Sequence, residues 1–99
     1  MEKIHLEYPA QQPAARATHV GVVGSGDLEV LAEPGESGKT VIDIRTSVDG
    51  SGPVWTAQLA RLFAAGRLPA VKLEINDFGA TPGVVQMRIA QALEEIGHA

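Results

Sequence analysis

The sequence predicts an α+β fold: a two-layer sandwich in which a mixed β-sheet carries two helices packed on one face. Three observations predict it. Five short stretches alternate apolar and polar residues, the period of a strand with one buried face. Two longer stretches repeat apolar residues at helical spacing. The order runs strands first, then strand, helix, strand, helix, and strands with one polar face call for helices on the other face only.

In "KIHLEY" (3–8), Ile4, Leu6 and Tyr8 share a face, the pattern of an edge strand. "PAQQPAARA" (9–17) has two prolines and no period, and reads as a loop. His19 to Val23 is a short strand with Val20 and Val22 on one face. After Gly24-Ser25-Gly26 the alternation resumes, with Leu28, Val30 and Ala32 on one side and Asp27, Glu29 and Leu31 on the other, so the glycine-flanked serine reads as a hairpin turn. "EPGESGK" (33–39) is turn-rich and reads as a polar hairpin loop. "TVIDIRTSV" (40–48) is a strand with Ile42, Ile44, Thr46 and Val48 inward.

The helices follow. Pro53 suits a first helical turn, where its missing N–H costs nothing. Trp55, Leu59, Leu62 and Phe63 then define an amphipathic helix over 53–65, with Gly66 as its stop. "AVKLEIN" (70–76) is a strand with Val71, Leu73 and Ile75 inward. Thr81 caps a second helix over about 82–96, begun by Pro82 and carrying Val85, Ile89, Leu93 and Ile96 on its apolar stripe. "VDGSGPVW" (48–55) and "NDFGATPGVV" (76–85) share a grammar of strand end, Asp, Gly, Pro and helix. It reflects how strands commonly turn into helices rather than a duplication.

A chain of 99 residues makes one domain, 1–99, with a single modest core. Apolar content of 44% and charged content of 20% are those of a globular protein. A net charge of -4 and four aromatic residues are poor material for nucleic acid, which needs clustered cations and stacking platforms. The absence of cysteine excludes disulfides, thiolate metal sites and a cysteine nucleophile. No apolar run reaches membrane-spanning length and no signal peptide is visible, so a cytoplasmic location is the expectation.

Several motifs fail on inspection. "GESGKT" (35–40) lacks the first glycine of a phosphate-binding loop, since position 33 is Glu, and a strand rather than a helix follows. Ser25 is not a hydrolase elbow, because Val23 and Asp27 stand where that pattern wants glycine. His19 with an Asp can be drawn as a triad for Ser25, yet nothing in the spacing assembles one, and an exposed strand histidine is the plainer reading. His5, His19 and His98 form no ligand spacing, so no metal is expected. Trp55 belongs to the core. Asp49 and Asp77 serve turns and caps. Local chemistry makes Ser25 a hairpin residue first and a modification site second, because its glycine neighbours leave the hydroxyl approachable.

"GSGDLEV", "RTSVDGSGPVW" and "EINDFGATPGVV" together resemble the acyl carrier (delta) subunit of malonate decarboxylase, over nearly the whole chain. Ser-Gly-Asp at 25–27 is short; the Asn76–Val85 stretch is more specific. The family is similar to the citrate lyase acyl carrier subunit, an alternative that the Asn76–Val85 stretch argues against. A further alternative is a scaffold or binding domain that has lost the cofactor. The resemblance implies a non-catalytic carrier. It implies a 2'-(5''-phosphoribosyl)-3'-dephospho-CoA group joined to Ser25 by a phosphodiester, with Gly24, Gly26 and Asp27 as the attachment turn. That group ends in the thiol this cysteine-free chain lacks. The implied partners are a maturation transferase, a transferase subunit that exchanges acetyl for malonyl, and a decarboxylase subunit pair that releases carbon dioxide and regenerates the acetyl thioester. The expected docking surface surrounds Ser25, with Asp27 and Glu29 meeting basic partner residues in a salt-sensitive contact.

Overall fold

The computed structural model describes residues 2–11, 14, 16–36, 38–63 and 69–97. It contains β1 (Glu2–Pro9), β2 (Thr18–Gly21), β3 (Leu28–Pro34), β4 (Lys39–Thr46), α1 (Gly52–Phe63), β5 (Val71–Asp77) and α2 (Pro82–Gly97). The strands form one mixed sheet in the order β1-β4-β5-β3-β2. Only β4 and β5 are parallel, joined through α1; the other neighbours are antiparallel.

The registers align the apolar residues in rows across the sheet. Ile4, Ile44, Ile75, Val30 and Val20 stand side by side, as do Leu6, Ile42, Leu73 and Ala32. Alternation sends all of these to one face. There they meet Trp55, Leu59 and Phe63 of α1 and Val85, Ile89, Ala92 and Ile96 of α2 in a single cluster. The two-layer α+β sandwich expected from the sequence is therefore present, with both helices on one face. The opposite face carries Lys3, His5, Glu7, Asp43, Arg45, Lys72 and Glu74 and is open to solvent. Ile42, Leu73, Val30, Leu59 and Ile89 are fully buried. Each contributes about 1.5–3 kcal/mol by leaving water.

The helix starts follow the sequence signals. The Thr81 hydroxyl accepts the Val84 N–H and its carbonyl accepts the Val85 N–H, so Thr81 caps α2 ahead of Pro82. The Ser51 carbonyl accepts the Trp55 N–H to begin α1. Gln58 of α1 donates to the Pro82 carbonyl at 2.8 Å, tying the two helices together. Tyr8 stacks on Phe63 with ring centroids 5.8 Å apart, which seats α1 against edge strand β1.

Three expectations need correction. The 33–39 segment is not a hairpin, because β5 lies between β3 and β4. It crosses the start of β5, where the Gly35 N–H donates to the Ala70 carbonyl at 3.1 Å. Val22 is not an inward strand residue: β2 ends at Gly21, and Val22 is 59% exposed. Val48 also leaves its strand and is 45% exposed, since its N–H turns back to the Thr46 hydroxyl at 3.0 Å. The expected helix stop at Gly66, the last residues of the expected 53–65 helix and His98 lie outside the described residues.

Candidate functional site

Strand direction collects three loops at one end of the sheet. Parallel β4 and β5 both end there, each leading into a helix. β3 starts there, with Leu28 opposite Asp77. The β2–β3 hairpin loop, Val22 to Asp27, therefore lies beside the start of α2.

Ser25 occupies the tip of that loop and is exposed. The Asp27 N–H donates to the Gly24 carbonyl at 3.1 Å, closing a four-residue turn over Ser25 and Gly26. Gly26 has φ 76°, the left-handed value that the third residue of a type II turn requires and that glycine adopts without strain. The hairpin turn expected for this stretch is present.

The turn is braced from two sides. The Gly26 N–H donates to the Phe78 carbonyl at 2.8 Å, and the Phe78 N–H donates to the Asp27 carbonyl at 3.0 Å. These bonds latch the hairpin to the loop after β5. That loop is itself anchored by buried Asp77, whose Oδ1 accepts the Ala80 N–H at 3.0 Å and whose Oδ2 accepts the Thr46 hydroxyl at 2.8 Å. The second brace is ionic. Arg88 of α2 donates from Nε to Asp27 Oδ1 at 3.2 Å and from Nη2 to Oδ2 at 2.8 Å. Oδ1 also accepts the Leu28 N–H at 2.7 Å. Bidentate guanidinium–carboxylate pairs fix geometry as well as charge. The Arg88 hydrogen bond, helped by the Leu28 N–H, holds the Asp27 carboxyl below its usual range.

The structure places the residues of the expected attachment turn and its neighbours. Gly24, Ser25, Gly26 and Asp27 form the turn. Asp27 is engaged by Arg88 and the Leu28 N–H, and Glu29 accepts from Asn76 Nδ2 at 2.8 Å and pairs with His19 Nε2 at 3.1 Å. His19 is an exposed strand histidine committed to Glu29, and among the described residues the Ser25 hydroxyl has no hydrogen-bond partner. The structure assembles no Ser–His–Asp triad from these residues. Trp55 is core, 4% exposed. Asp77 serves a turn, as expected, while Asp49 is exposed. Arg88 was missed by sequence reasoning. The available signal was that it is the one basic residue in α2, set against the apolar stripe beside Ile89.

Fold and site together define a small display module: a braced hairpin that holds one serine hydroxyl outward, without a hydrogen-bond partner among the described residues. A family model described as malonate decarboxylase delta subunit (MdcD), an acyl carrier family, matches residues 15–96, and the chain belongs to this family. The malonate decarboxylase acyl carrier protein of Pseudomonas paraeruginosa is 55% identical over 98 residues, covering 99% of each chain. Its counterpart in Azotobacter vinelandii is 52% identical with the same coverage. A chain in the crystal structure of a Pseudomonas malonate decarboxylase hetero-tetramer in complex with malonate superposes with a TM-score of 0.95 at 52% identity, over 98% of this chain and 100% of that one. Of the two carrier families the sequence resembles, these matches name the malonate decarboxylase one. Among the described residues, no helix is long and apolar enough to cross a membrane.

Proposed function

We propose that this chain works as the acyl carrier of a malonate decarboxylase, with Ser25 as the attachment point of a 2'-(5''-phosphoribosyl)-3'-dephospho-CoA group and no reaction catalysed by the chain itself. The observation that carries this reading is the exposed Ser25 hydroxyl at the tip of a braced hairpin, in a chain of this family. When bound, the group supplies a thiol that carries acetyl or malonyl as a thioester, whose carbonyl can accept the electrons released as carbon dioxide departs.

The residues present fit such a group. A methyl group added at Gly26 would meet nothing within 4 Å, and one added at Gly24 would meet only Val22 Cγ2 at 3.8 Å. The space on both sides of Ser25 is therefore open enough for a bulky substituent and for the enzyme that delivers it. Phosphodiester formation breaks the serine O–H bond and the P–O bond to the leaving phosphate of an activated polyphosphate donor. Among the described residues no base is hydrogen-bonded to the Ser25 hydroxyl, so in this reading the transferase takes the proton. After that, the chain's own work is presentation. The latch to Phe78 and the clamp by Arg88 hold the attachment atom still on a rigid sandwich, and tethering raises the local concentration of the acyl group at the partner active sites. The partners under this reading are a maturation transferase, a malonyl–acetyl transferase subunit and a decarboxylase subunit pair.

Co-expression with the maturation enzymes of a malonate decarboxylase gene cluster tests the assignment. Intact mass should show one adduct on the wild-type chain and none on Ser25→Ala; an adduct retained by Ser25→Ala refutes it. Acyl transfer to the modified protein should occur from labelled malonate and not from labelled citrate.

A further inference from the structure

Asp27 follows Ser25 by two residues, and an acidic side chain so near a modified hydroxyl invites a chemical role. The geometry points to another. We propose that Arg88 is the positioning residue for Ser25: by clamping Asp27 from α2, it fixes the Gly24–Asp27 turn so that the hydroxyl is presented to the enzyme that modifies it. The inference rests on the carrier reading above and adds a residue to it that lies 61 positions from Asp27 in sequence.

Four observations carry it. Both carboxylate oxygens of Asp27 are occupied, Oδ1 by Arg88 Nε and the Leu28 N–H, and Oδ2 by Arg88 Nη2. A carboxylate so engaged, its pKa lowered by those bonds, is a poor base. The pair is mostly shielded, with side chains 24% and 20% exposed, so water competes weakly for it. Arg88 Cδ lies against Gly21, 3.4 Å from where a Cβ would stand, so the side chain spans the hairpin from its base to its turn. The remaining support of the turn is backbone to Phe78, which anchors Gly26 and the Asp27 carbonyl but not the Asp27 side chain. Without Arg88, the turn keeps its latch and loses the restraint on its orientation relative to α2. A displacement of about 1 Å at a reacting atom can cost about a hundredfold in rate.

The test follows the rate of Ser25 modification by purified maturation transferase, with its activated dephospho-CoA donor, under intact-mass detection. Wild type, Arg88→Ala, Arg88→Lys and Asp27→Asn are compared, each scored per folded molecule by circular dichroism. Arg88→Ala should lose at least tenfold in kcat/KM. Most of that loss should fall in kcat, because the surface bound by the transferase remains while the hydroxyl is misplaced. Asp27→Asn, which keeps the side chain's shape and hydrogen-bond acceptor but removes its charge, should fall between wild type and Arg88→Ala. Arg88→Lys, which keeps the charge and loses the bidentate fork, should also lie between them. Hydrogen exchange at the Leu28 amide, which donates to Asp27 Oδ1, should quicken in Arg88→Ala while the latch amides of Gly26 and Phe78 stay protected.

Modification of folded Arg88→Ala at the wild-type rate overturns the proposal. So does an Asp27→Asn rate far below that of Arg88→Ala, which would give the carboxylate its own chemistry. If Arg88→Ala does not fold, the Arg88→Lys and Asp27→Asn rates decide: wild-type rates in both overturn the proposal, and intermediate rates support it. Failure of the carrier reading looks different, because wild-type protein would then show no adduct at Ser25.

Discussion

The hairpin that displays Ser25 contains two glycines with left-handed backbone, and they predict different penalties for the same substitution. Gly26 has φ 76° and open space around its missing side chain. Gly26→Ala therefore incurs only backbone strain, roughly 1–2 kcal/mol. About 0.4–1 kcal/mol of that is offset by the stiffer unfolded chain. The net loss should be about 1 kcal/mol. Gly21 has φ 81°, but an added Cβ would stand 2.0 Å from the Leu28 carbonyl oxygen. No bonded geometry tolerates that, so the hairpin base must open. β2 is only four residues long, which caps the damage: the most that is lost is its pairing and the burial of Val20, itself worth about 1.5–3 kcal/mol. Gly21→Ala should therefore cost about 3 kcal/mol. In a domain of this size that lowers the melting temperature by roughly 15 °C, against about 5 °C for Gly26→Ala. Urea unfolding of the two variants, followed by Trp55 fluorescence, measures both. Equal losses, or a larger loss at Gly26, would refute the packing argument at the hairpin base.

Other outcomes follow from the same geometry. Thr46→Val removes the donor to buried Asp77 Oδ2 and the acceptor of the Val48 N–H, and should cost about 1–3 kcal/mol in urea unfolding, with Thr46→Ser milder. His5 holds Glu7 Oε2 at 2.8 Å and Asp43 Oδ1 at 2.6 Å; these bonds, Glu7 first, raise its pKa above 6.5. An NMR titration should show this, with Glu7→Gln and Asp43→Asn each lowering the value. Because the folded pKa is raised, the stability His5 contributes is complete below about pH 6.5 and is lost as pH climbs through the folded value. Asp27 behaves in the opposite sense: its contribution is present above 3.8 and is lost as pH falls through its lowered folded value, a loss that should be blunted in Arg88→Ala.

Much of this molecule was legible in its sequence, for physical reasons. Period-two alternation marked all five strands because each turns one face toward the core. Thr81-Pro82 marked the start of α2 because it satisfies free N–H groups locally. Ser25 stood out because glycine on both sides signals a turn. What escaped the sequence depends on pairing between distant segments. The strand order β1-β4-β5-β3-β2 places β5 between two strands that follow one another along the chain, and no local pattern in 33–39 distinguishes a crossing from a hairpin. Val22 and Val48 continue an apolar alternation on paper. Their strands end earlier because Gly21 turns at φ 81° and Thr46 draws back the Val48 N–H. Asp27 and Glu29 looked like free surface charges because their partners, Arg88 and Asn76, arrive from α2 and β5.

The central claim is that Ser25 bears the acyl-carrying arm, and peptide-level mass spectrometry of the protein isolated from its native cell tests it most directly. The account predicts a phosphodiester-linked dephospho-CoA derivative on the peptide containing Ser25, localised to its hydroxyl. The same adduct on any other residue, or fully unmodified Ser25 in cells actively decarboxylating malonate, would contradict it.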